Sequence, residues 1–227
     1  MDLYHSRKYN LNEKFFDKWS APMAYVLGFW FADGYMRKDR SYRISITSND
    51  KEILESIRNI MGSTHPINKD KRYRCWTIYI YSKYLYKALI ELGGLRCKSK
   101  VMVFPLVPKK YLRDFIRGYF DGDGSVFFVT YARTKDKKVT KELRTNFTSG
   151  SRRFLESLMN ILNTELKFPL KKLGMFNNGG SLKLGYGTKD SDALLNFMYY
   201  VGFPIGLKRK ADFIAKIPSY QKHNHKI

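Results

Sequence analysis

Two kinds of apolar periodicity alternate along this chain. Arg43-Ile44-Ser45-Ile46-Thr47 and Trp76-Thr77-Ile78-Tyr79-Ile80-Tyr81 put apolar side chains at every second position, as strands with one buried face do. Between them, Asn49-Asp50 is followed by Ile53, Leu54, Ile57 and Ile60, the spacing of a capped helix with one apolar stripe. Read this way, the pattern predicts helix 21–33, strands 35–38 and 42–48, helix 50–61, strands 64–69 and 73–81, and helix 82–92. A charged, proline-bearing stretch, 96–111, then separates this set from a second one. The second runs in the same order: helix 112–123, strands 126–131 and 143–149, helix 152–164, strands 170–176 and 181–186, helix 191–201. Residues 1–19 have no clear period and form an arm that either wraps back on the domain or touches a partner.

The repetition holds at the level of residues. Leu54-Glu55-Ser56 recurs as Leu155-Glu156-Ser157, an offset of 155−54 = 101. Gly94-Leu95-Arg96-Cys97-Lys98 and Gly206-Leu207-Lys208-Arg209-Lys210 share Gly-Leu-x-x-Lys, and Pro105 and Pro218 follow at 105−98 = 7 and 218−210 = 8. Two acids, Asp33 and Asp123, are separated by 123−33 = 90. Offsets that grow along the chain mean longer loops in the second copy, chiefly at 134–140 and 176–181. The chain is therefore a tandem duplication: an arm (1–19), a first half (20–95), a linker (96–111), a second half (112–218) and a basic tail (219–227). Helices on one face of antiparallel strands, twice over, make an α+β fold of two αββαββα halves packed about a pseudo-twofold axis.

The first helix of each half carries the unusual chemistry. Ala24–Tyr35 reads Ala-Tyr-Val-Leu-Gly-Phe-Trp-Phe-Ala-Asp-Gly-Tyr, and 112–125 reads Leu-Arg-Asp-Phe-Ile-Arg-Gly-Tyr-Phe-Asp-Gly-Asp-Gly-Ser. Gly28 with Ala32, and Gly118 with Gly122, lie four apart and so form a side-chain-free strip on one helix face. Two such strips can lie backbone to backbone. Each run stops at Asp-Gly, where the glycine is expected to take the left-handed conformation that closes a helix. A single Asp-Gly is adequately read as a helix stop. Two carboxylates in matched contexts at the negative ends of helix dipoles point instead to a divalent cation between them.

Charge narrows the partner. Lys and Arg number 42 against 20 acids, a net +22 spread over the whole chain, which implies a polyanion, most simply nucleic acid. A basic membrane-surface protein is disfavoured because no Lys/Arg-rich amphipathic helix with a clean apolar face is present, and the longest apolar run, 25–32, is too short to span a bilayer. Cys75, Cys97 and four histidines show no zinc-like spacing, so oxygen ligands and an Mg²⁺-like ion are expected. The sparse cysteines favour a reducing compartment, and the polar N-terminus lacks a secretory pattern.

At the two glycine-bearing helices the sequence resembles the LAGLIDADG homing endonucleases. The motif positions are carried by Val26-Leu27-Gly28-Phe29-Trp30-Phe31-Ala32-Asp33-Gly34 and by Ile116-Arg117-Gly118-Tyr119-Phe120-Asp121-Gly122-Asp123-Gly124. The first copy departs from the pattern with Phe31 in place of the earlier acid. The resemblance, covering about 21–218, implies motif helices packed at the pseudo-dyad and two sheets forming a DNA-straddling saddle. It also implies metal ligation by Asp33 and Asp123 with the carbonyls of Ala32 and Gly122. Mg²⁺ is the expected ion, with Mn²⁺ substituting and Ca²⁺ binding without supporting cleavage. Both strands would then be hydrolysed across the minor groove, leaving short 3′ overhangs. Lys98 and Lys210 would lie near the scissile phosphates and their waters, with Ser48 and Ser149 helping to order those waters.

The expected partner is a long asymmetric double-stranded DNA site, bound by a monomer encoded by an intron or intein-like element. The alternatives are a maturase acting on intron RNA and a catalytically silent DNA-binding relative. A Ca²⁺ loop at Asp121–Ser125 fails, because its sixth and twelfth positions are Val126 and Ala132 where Gly and Glu are required. A nucleotide-binding glycine loop fails too, because these glycines follow their helix.

Alternation names the reading face. With Ile44 and Ile46 inward, Arg43, Ser45 and Thr47 face out; with Phe147 inward, Arg144, Asn146 and Thr148 face out. Arg37, Arg72, Arg74, Thr77, Tyr79, Arg133 and Lys183 follow by similar alternation. These side chains donate to base edges and phosphates, and a two-stranded ribbon fits a major groove.

Overall fold

The structure, a computed structural model, describes residues 8–37, 41–96, 98–132, 139–176 and 180–220, with the side chains of Lys98 and Phe176 outside that description. Arg133, expected on the reading face, lies outside the described residues. The first half runs α1 (Ala21–Asp33), β1 (Gly34–Met36), β2 (Arg43–Ser48), α2 (Lys51–Ile60), β3 (Ile67–Lys69), β4 (Trp76–Tyr81) and α3 (Lys83–Glu91). Two short 3₁₀ turns, Lys98–Lys100 and Lys109–Tyr111, occupy the linker. The second half runs α4 (Leu112–Asp123), β5 (Gly124–Ala132), β6 (Val139–Ser149), α5 (Arg152–Leu166), β7 (Gly174–Phe176), β8 (Ser181–Tyr186), α6 (Thr188–Met198) and α7 (Lys208–Ala215).

Apolar periodicity placed these elements well, and hairpin ends less well. Strand β4 begins at Trp76 instead of Tyr73, because residues 71–74 form a turn in which Arg74 takes φ +53°. Asp70 Oδ1 accepts from the backbone N–H groups of Arg72 and Tyr73 in that turn, an Asx-type closure. Helix α7 is an element that the periodicity reading passed over.

Two four-stranded antiparallel sheets result, ordered β1-β2-β4-β3 and β5-β6-β8-β7. Ile44 pairs with Ile80 and Ile46 with Ile78; these isoleucines are buried together with Leu54, Ile57, Leu85 and Leu89 of α2 and α3. The second sheet repeats the arrangement, with Leu143, Phe147 and Leu184 buried among residues of α5 and α6. Thr145 and Ser191 share a hydroxyl–hydroxyl hydrogen bond of 3.0 Å on that inner face. Among the described residues, no helix covers the opposite face of either sheet.

Helices α1 and α4 cross at the centre. A Cβ on Gly28 would lie 2.1 Å from the carbonyl oxygen of Phe115, and one on Gly118 would lie 2.1 Å from that of Tyr25. The two contacts are mates under one operation, because 118−28 = 90 and 115−25 = 90. Every residue of α1 from Met23 to Phe31 is buried, as expected of a helix with packing partners on all sides.

The glycines that end these helices act differently from expectation. Gly34 and Gly124 have extended backbones, at φ −88° and −104°, so no left-handed turn is involved. A Cβ on either would lie 2.2 Å from a ring atom, of Trp30 or of Phe120. Glycine is needed there for space, and each helix passes directly into the edge strand of its own sheet.

Gly28→Val and Gly118→Val are expected to cost more than about 3 kcal/mol each by forcing the two backbones apart. Gly174→Ala, on an edge strand where a Cβ would meet only the Lys183 carbonyl oxygen at 3.9 Å, should change stability by less than about 0.5 kcal/mol. Denaturant unfolding of the three variants checks this.

Candidate active site

Asp33 and Asp123 are the last residues of α1 and α4, so both carboxylates stand where helix dipoles are negative. The helix ends are close together here as well. A Cβ on Gly122 would lie 2.4 Å from Cβ of Ala32 and 3.0 Å from Oδ2 of Asp33, which puts the first motif's acid beside the second motif's backbone. Tyr119 senses both acids: its buried hydroxyl is pushed well above the ordinary range, first by desolvation, then by the charge of Asp123 and, more weakly, of Asp33. That hydroxyl donates to the carbonyl of Thr148 at 2.8 Å, and Thr148 Oγ1 donates to the carbonyl of Asp123 at 2.8 Å. Strand β6 is thereby pinned to the acid-bearing end of α4.

The donor set fits a hard divalent cation. Among the described residues no group of three or more His, Cys, Asp or Glu is assembled, so protein ligation would come from two carboxylates plus backbone carbonyls. A cation that keeps water and accepts phosphate oxygens needs little more than this. Glycine at 122 is what allows the two helix ends to approach this closely, since a Cβ there would collide with Ala32. A cleft of about 530 Å³ reaches Asp123, lined among others by Ala32, Thr148, Ser149, Gly150 and Ser181.

The earlier acid of the second motif, Asp121, is fully buried and faces away from this chemistry. Its Oδ2 accepts from the Tyr25 hydroxyl and from the backbone N–H of Leu207, both at 2.7 Å, and its Oδ1 accepts from the Tyr199 hydroxyl. Burial raises its pKa, opposed first by the Lys210 charge. Asp121 thus bolts α1 and the chain around residues 199–207 to the end of α4. Its repeat mate, Phe31 (121−31 = 90), packs edge-on against Phe115 at 5.5 Å. One half therefore holds its helix end with a polar bolt, the other with an aromatic cluster.

Lys210 is 5% exposed, and its ammonium donates to the carbonyls of Phe120, Asp121 (3.0 Å) and Gly124 (2.6 Å). An ammonium has three donors and all three are taken by the end of α4, so Lys210 caps that end, within reach of the charges of Asp33 and Asp123. Burial pushes its pKa down to about 8 against the pull of Asp121. The residue stands in α7, where Lys210 and Ile214, four apart, form the buried side; that spacing was the available signal. The side chain of Lys98 lies outside the described residues. Arg209, the neighbour of Lys210, lines a cleft with Gly124 at the α4 end and is exposed and ion-paired with Asp50 of the first half at 3.0 Å.

Ser48 and Ser149 each have a backbone partner. Each sits on the helix-covered face of its strand, and its hydroxyl accepts at 3.1 Å from the backbone N–H two residues on, that of Asp50 or of Ser151. They shape the turns into α2 and α5.

On the bare faces, Arg43, Tyr79, Thr47, Arg144 and Lys183 are half-buried or exposed, and Arg37, Arg72 and Arg74 are exposed, the last two in the β3–β4 turn. Ser45 and Thr77 are buried on that face: Ser45 lies between Tyr35 and Tyr79 on flanking strands, and Thr77 shares a 2.9 Å hydroxyl contact with Thr47. Asn146 is buried between Ser125 and Gly185, and Thr148 is committed to Asp123. Tyr35, Tyr81, Phe127 and Tyr131 are exposed aromatics on these faces, which the strand alternation alone does not single out.

Residues 20–92 match the protein family described as LAGLIDADG-like domain. An uncharacterised protein of Methanocaldococcus jannaschii is 27% identical over 92% of this chain and 77% of its own length. A probable translation initiation factor IF-2 of Thermococcus kodakarensis is 27% identical over 88% of this chain, which spans 16% of that protein. Among solved structures, the I-LtrWI LAGLIDADG homing endonuclease bound to target DNA superposes with a TM-score of 0.58 at 13% identity, covering 95% of this chain and 92% of its own. I-SmaMI, bound to an uncleaved DNA target in the presence of calcium ions, gives 0.60 at 17% identity, with 91% and 94% covered.

Lys210→Met should lower unfolding stability by about 3 kcal/mol, because carbonyls stripped of a buried donor cost ~1–3 kcal/mol each. Tyr25 and Tyr199 have hydroxyl pKa values raised well above 10.0, chiefly by burial and then by Asp121. The unfolded chain loses those protons near pH 10 while the folded chain keeps them, so their contribution, fully present below pH 10, falls as pH rises further. These two, together with Tyr119 and Tyr186, whose hydroxyls burial also raises, should therefore ionise only on alkaline unfolding, and one fewer should do so in Tyr25→Phe, as tyrosinate absorbance followed beside circular dichroism would show.

Proposed function

We propose that this chain, which carries a LAGLIDADG-like domain and the two-motif fold of the LAGLIDADG homing endonucleases, is a site-specific, divalent-metal-dependent DNA double-strand endonuclease. The observation that carries the reading is the meeting of Asp33 and Asp123 at two helix C-termini, between two helix-free sheet faces of a chain with net charge +22. The helix dipoles disfavour carboxylates there, and a cation between them would offset that cost. A metal held by Asp33, Asp123 and the carbonyls of Ala32 and Gly122 would supply charge neutralisation at the scissile phosphate and a more acidic water.

The chain's own residues do the rest. The sheet faces bind duplex DNA through Arg37, Arg43, Arg144 and Lys183 and orient it so that the backbone crosses the α1–α4 ends. Thr148, Tyr119 and Lys210 hold the α4 end rigid, so that Asp123 meets the phosphate in one geometry. The half with Asp33 and the half with Asp123 each address one strand across the minor groove, leaving short 3′ overhangs. Mg²⁺ is the working ion, with Mn²⁺ as a substitute and Ca²⁺ as a non-cutting one. The resemblance of nearly the whole chain to 16% of a translation factor supports a mobile, intein-like origin, in which one module is inserted into hosts of other function.

Purified chain incubated with a randomised duplex library at fixed moderate salt should cut discrete sequences with Mg²⁺ and retain the same sequences uncut with Ca²⁺. Asp33→Asn and Asp123→Asn should each abolish double-strand cutting while retention persists. Selective retention without cutting in Mg²⁺ by the unaltered chain would replace the nuclease reading with a binding protein.

A further inference from the structure

Among the described strand residues, one carboxylate lies on a bare sheet face, that of Glu142 in β6. In a chain of net charge +22 that presents this face to phosphates, an acid there works against association, so its neighbours are informative. Glu142 Oε2 accepts from Arg144 Nη2 at 2.7 Å, and Oε1 accepts from the Tyr131 hydroxyl on the paired strand β5. Both carboxylate oxygens are engaged, and these two bonds hold the carboxyl below its ordinary pKa, Tyr131 contributing most. The cluster is open to solvent, with the side chains of Arg144 and Glu142 47% and 28% exposed.

Repeat position sharpens the comparison. Arg43 is the mate of Arg144 at the same offset as the Leu-Glu-Ser landmarks, 144−43 = 101. Arg43 has its guanidinium 5.1 Å from the Tyr79 ring centroid, whereas Arg144 is held by an acid. An arginine that only neutralises phosphate loses attraction when a carboxylate stands beside it. An arginine that reads a base edge gains, because the carboxylate fixes the plane of its fork while its other N–H groups remain for an acceptor pair.

Resting on the endonuclease reading above, we propose that Glu142 and Tyr131 are positioning residues that brace Arg144 to read guanine, through O6 and N7 in the major groove, at one base pair of the second half-site. Among the described residues the first half holds Arg43 against the Tyr79 ring and no acid, and the two half-sites differ accordingly.

The test compares the full chain with Glu142→Gln, Tyr131→Phe and Arg144→Lys, selecting from a randomised duplex library at fixed salt with Ca²⁺ and counting retained sequences. The unaltered chain should show a guanine position whose preference falls about tenfold in Arg144→Lys and Glu142→Gln and less in Tyr131→Phe, while preferences elsewhere in the site stay put. Unchanged thermal unfolding confirms that these exposed substitutions leave the fold intact. A loss spread evenly over all positions, or a shallower salt dependence with the same profile, would make Arg144 a phosphate contact and overturn the proposal. A profile altered by Arg144→Lys but untouched by Glu142→Gln would remove the brace. If the unaltered chain retains no preferred sequence, the proposal fails together with the endonuclease reading; a defined site lacking such a guanine sinks the brace alone.

Discussion

The α1–α4 crossing is the contact on which the rest of the structure depends. Backbone meets backbone at Gly28 and Gly118, and a Cβ at either would sit 2.1 Å from a carbonyl oxygen. That closeness brings Asp33 and Asp123 together, one turn or so further along each helix. It also fixes the sheets, since β1 and β5 continue α1 and α4 without a loop. A contact that separated the helices by one side-chain layer would move the acids apart and tilt both sheet faces. Packing, charge placement and binding surface thus share one geometric requirement.

Bringing like charges to two negative helix ends is costly, and the second half shows how the end of α4 is held against it. Lys210 takes three carbonyls there, Thr148 takes that of Asp123, and Asp121 draws in Tyr25, Tyr199 and the backbone of Leu207. Buried polar groups of this kind are favourable only when fully satisfied. The bolt also crosses the duplication, because Tyr25 belongs to the first half and Asp121 to the second. The first half substitutes Phe31, packed among Trp30, Phe115 and Phe154. Duplication has left two copies of one scaffold, and divergence has given them different means of holding the same helix end.

Most of the fold was legible because its signals are local. Alternation in 43–47 and 76–81 reflects a sheet with one covered face, and the bounds of α1, α4 and β8 matched expectation residue for residue. Partner-dependent features were harder to read. Helix α7 is short and opens with Lys208-Arg209-Lys210, so its charges hid the spacing of Lys210 and Ile214. Strand parity puts Ser48 and Ser149 on the helix-covered face, and their hydroxyls close turns. Gly34 and Gly124 looked like left-handed stops, but what excludes a side chain there is a ring four residues earlier in the same helix.

The amino-acid sequence by itself determined the duplication, the α+β class, the glycine strips, the paired acids and the basic excess that calls for a polyanion. These follow from periodicity, spacing and charge, which the chain carries whatever its tertiary neighbours. Only the tertiary structure decided that Lys210 is a buried cap, that Asp121 is a bolt, and that Ser45 and Thr77 are covered on their sheet face while Arg144 stands open on the other sheet. The physical reason is that a side chain's role depends on which donors and acceptors reach it. For these residues the partners lie tens of residues away in sequence, as Lys210 does from Gly124.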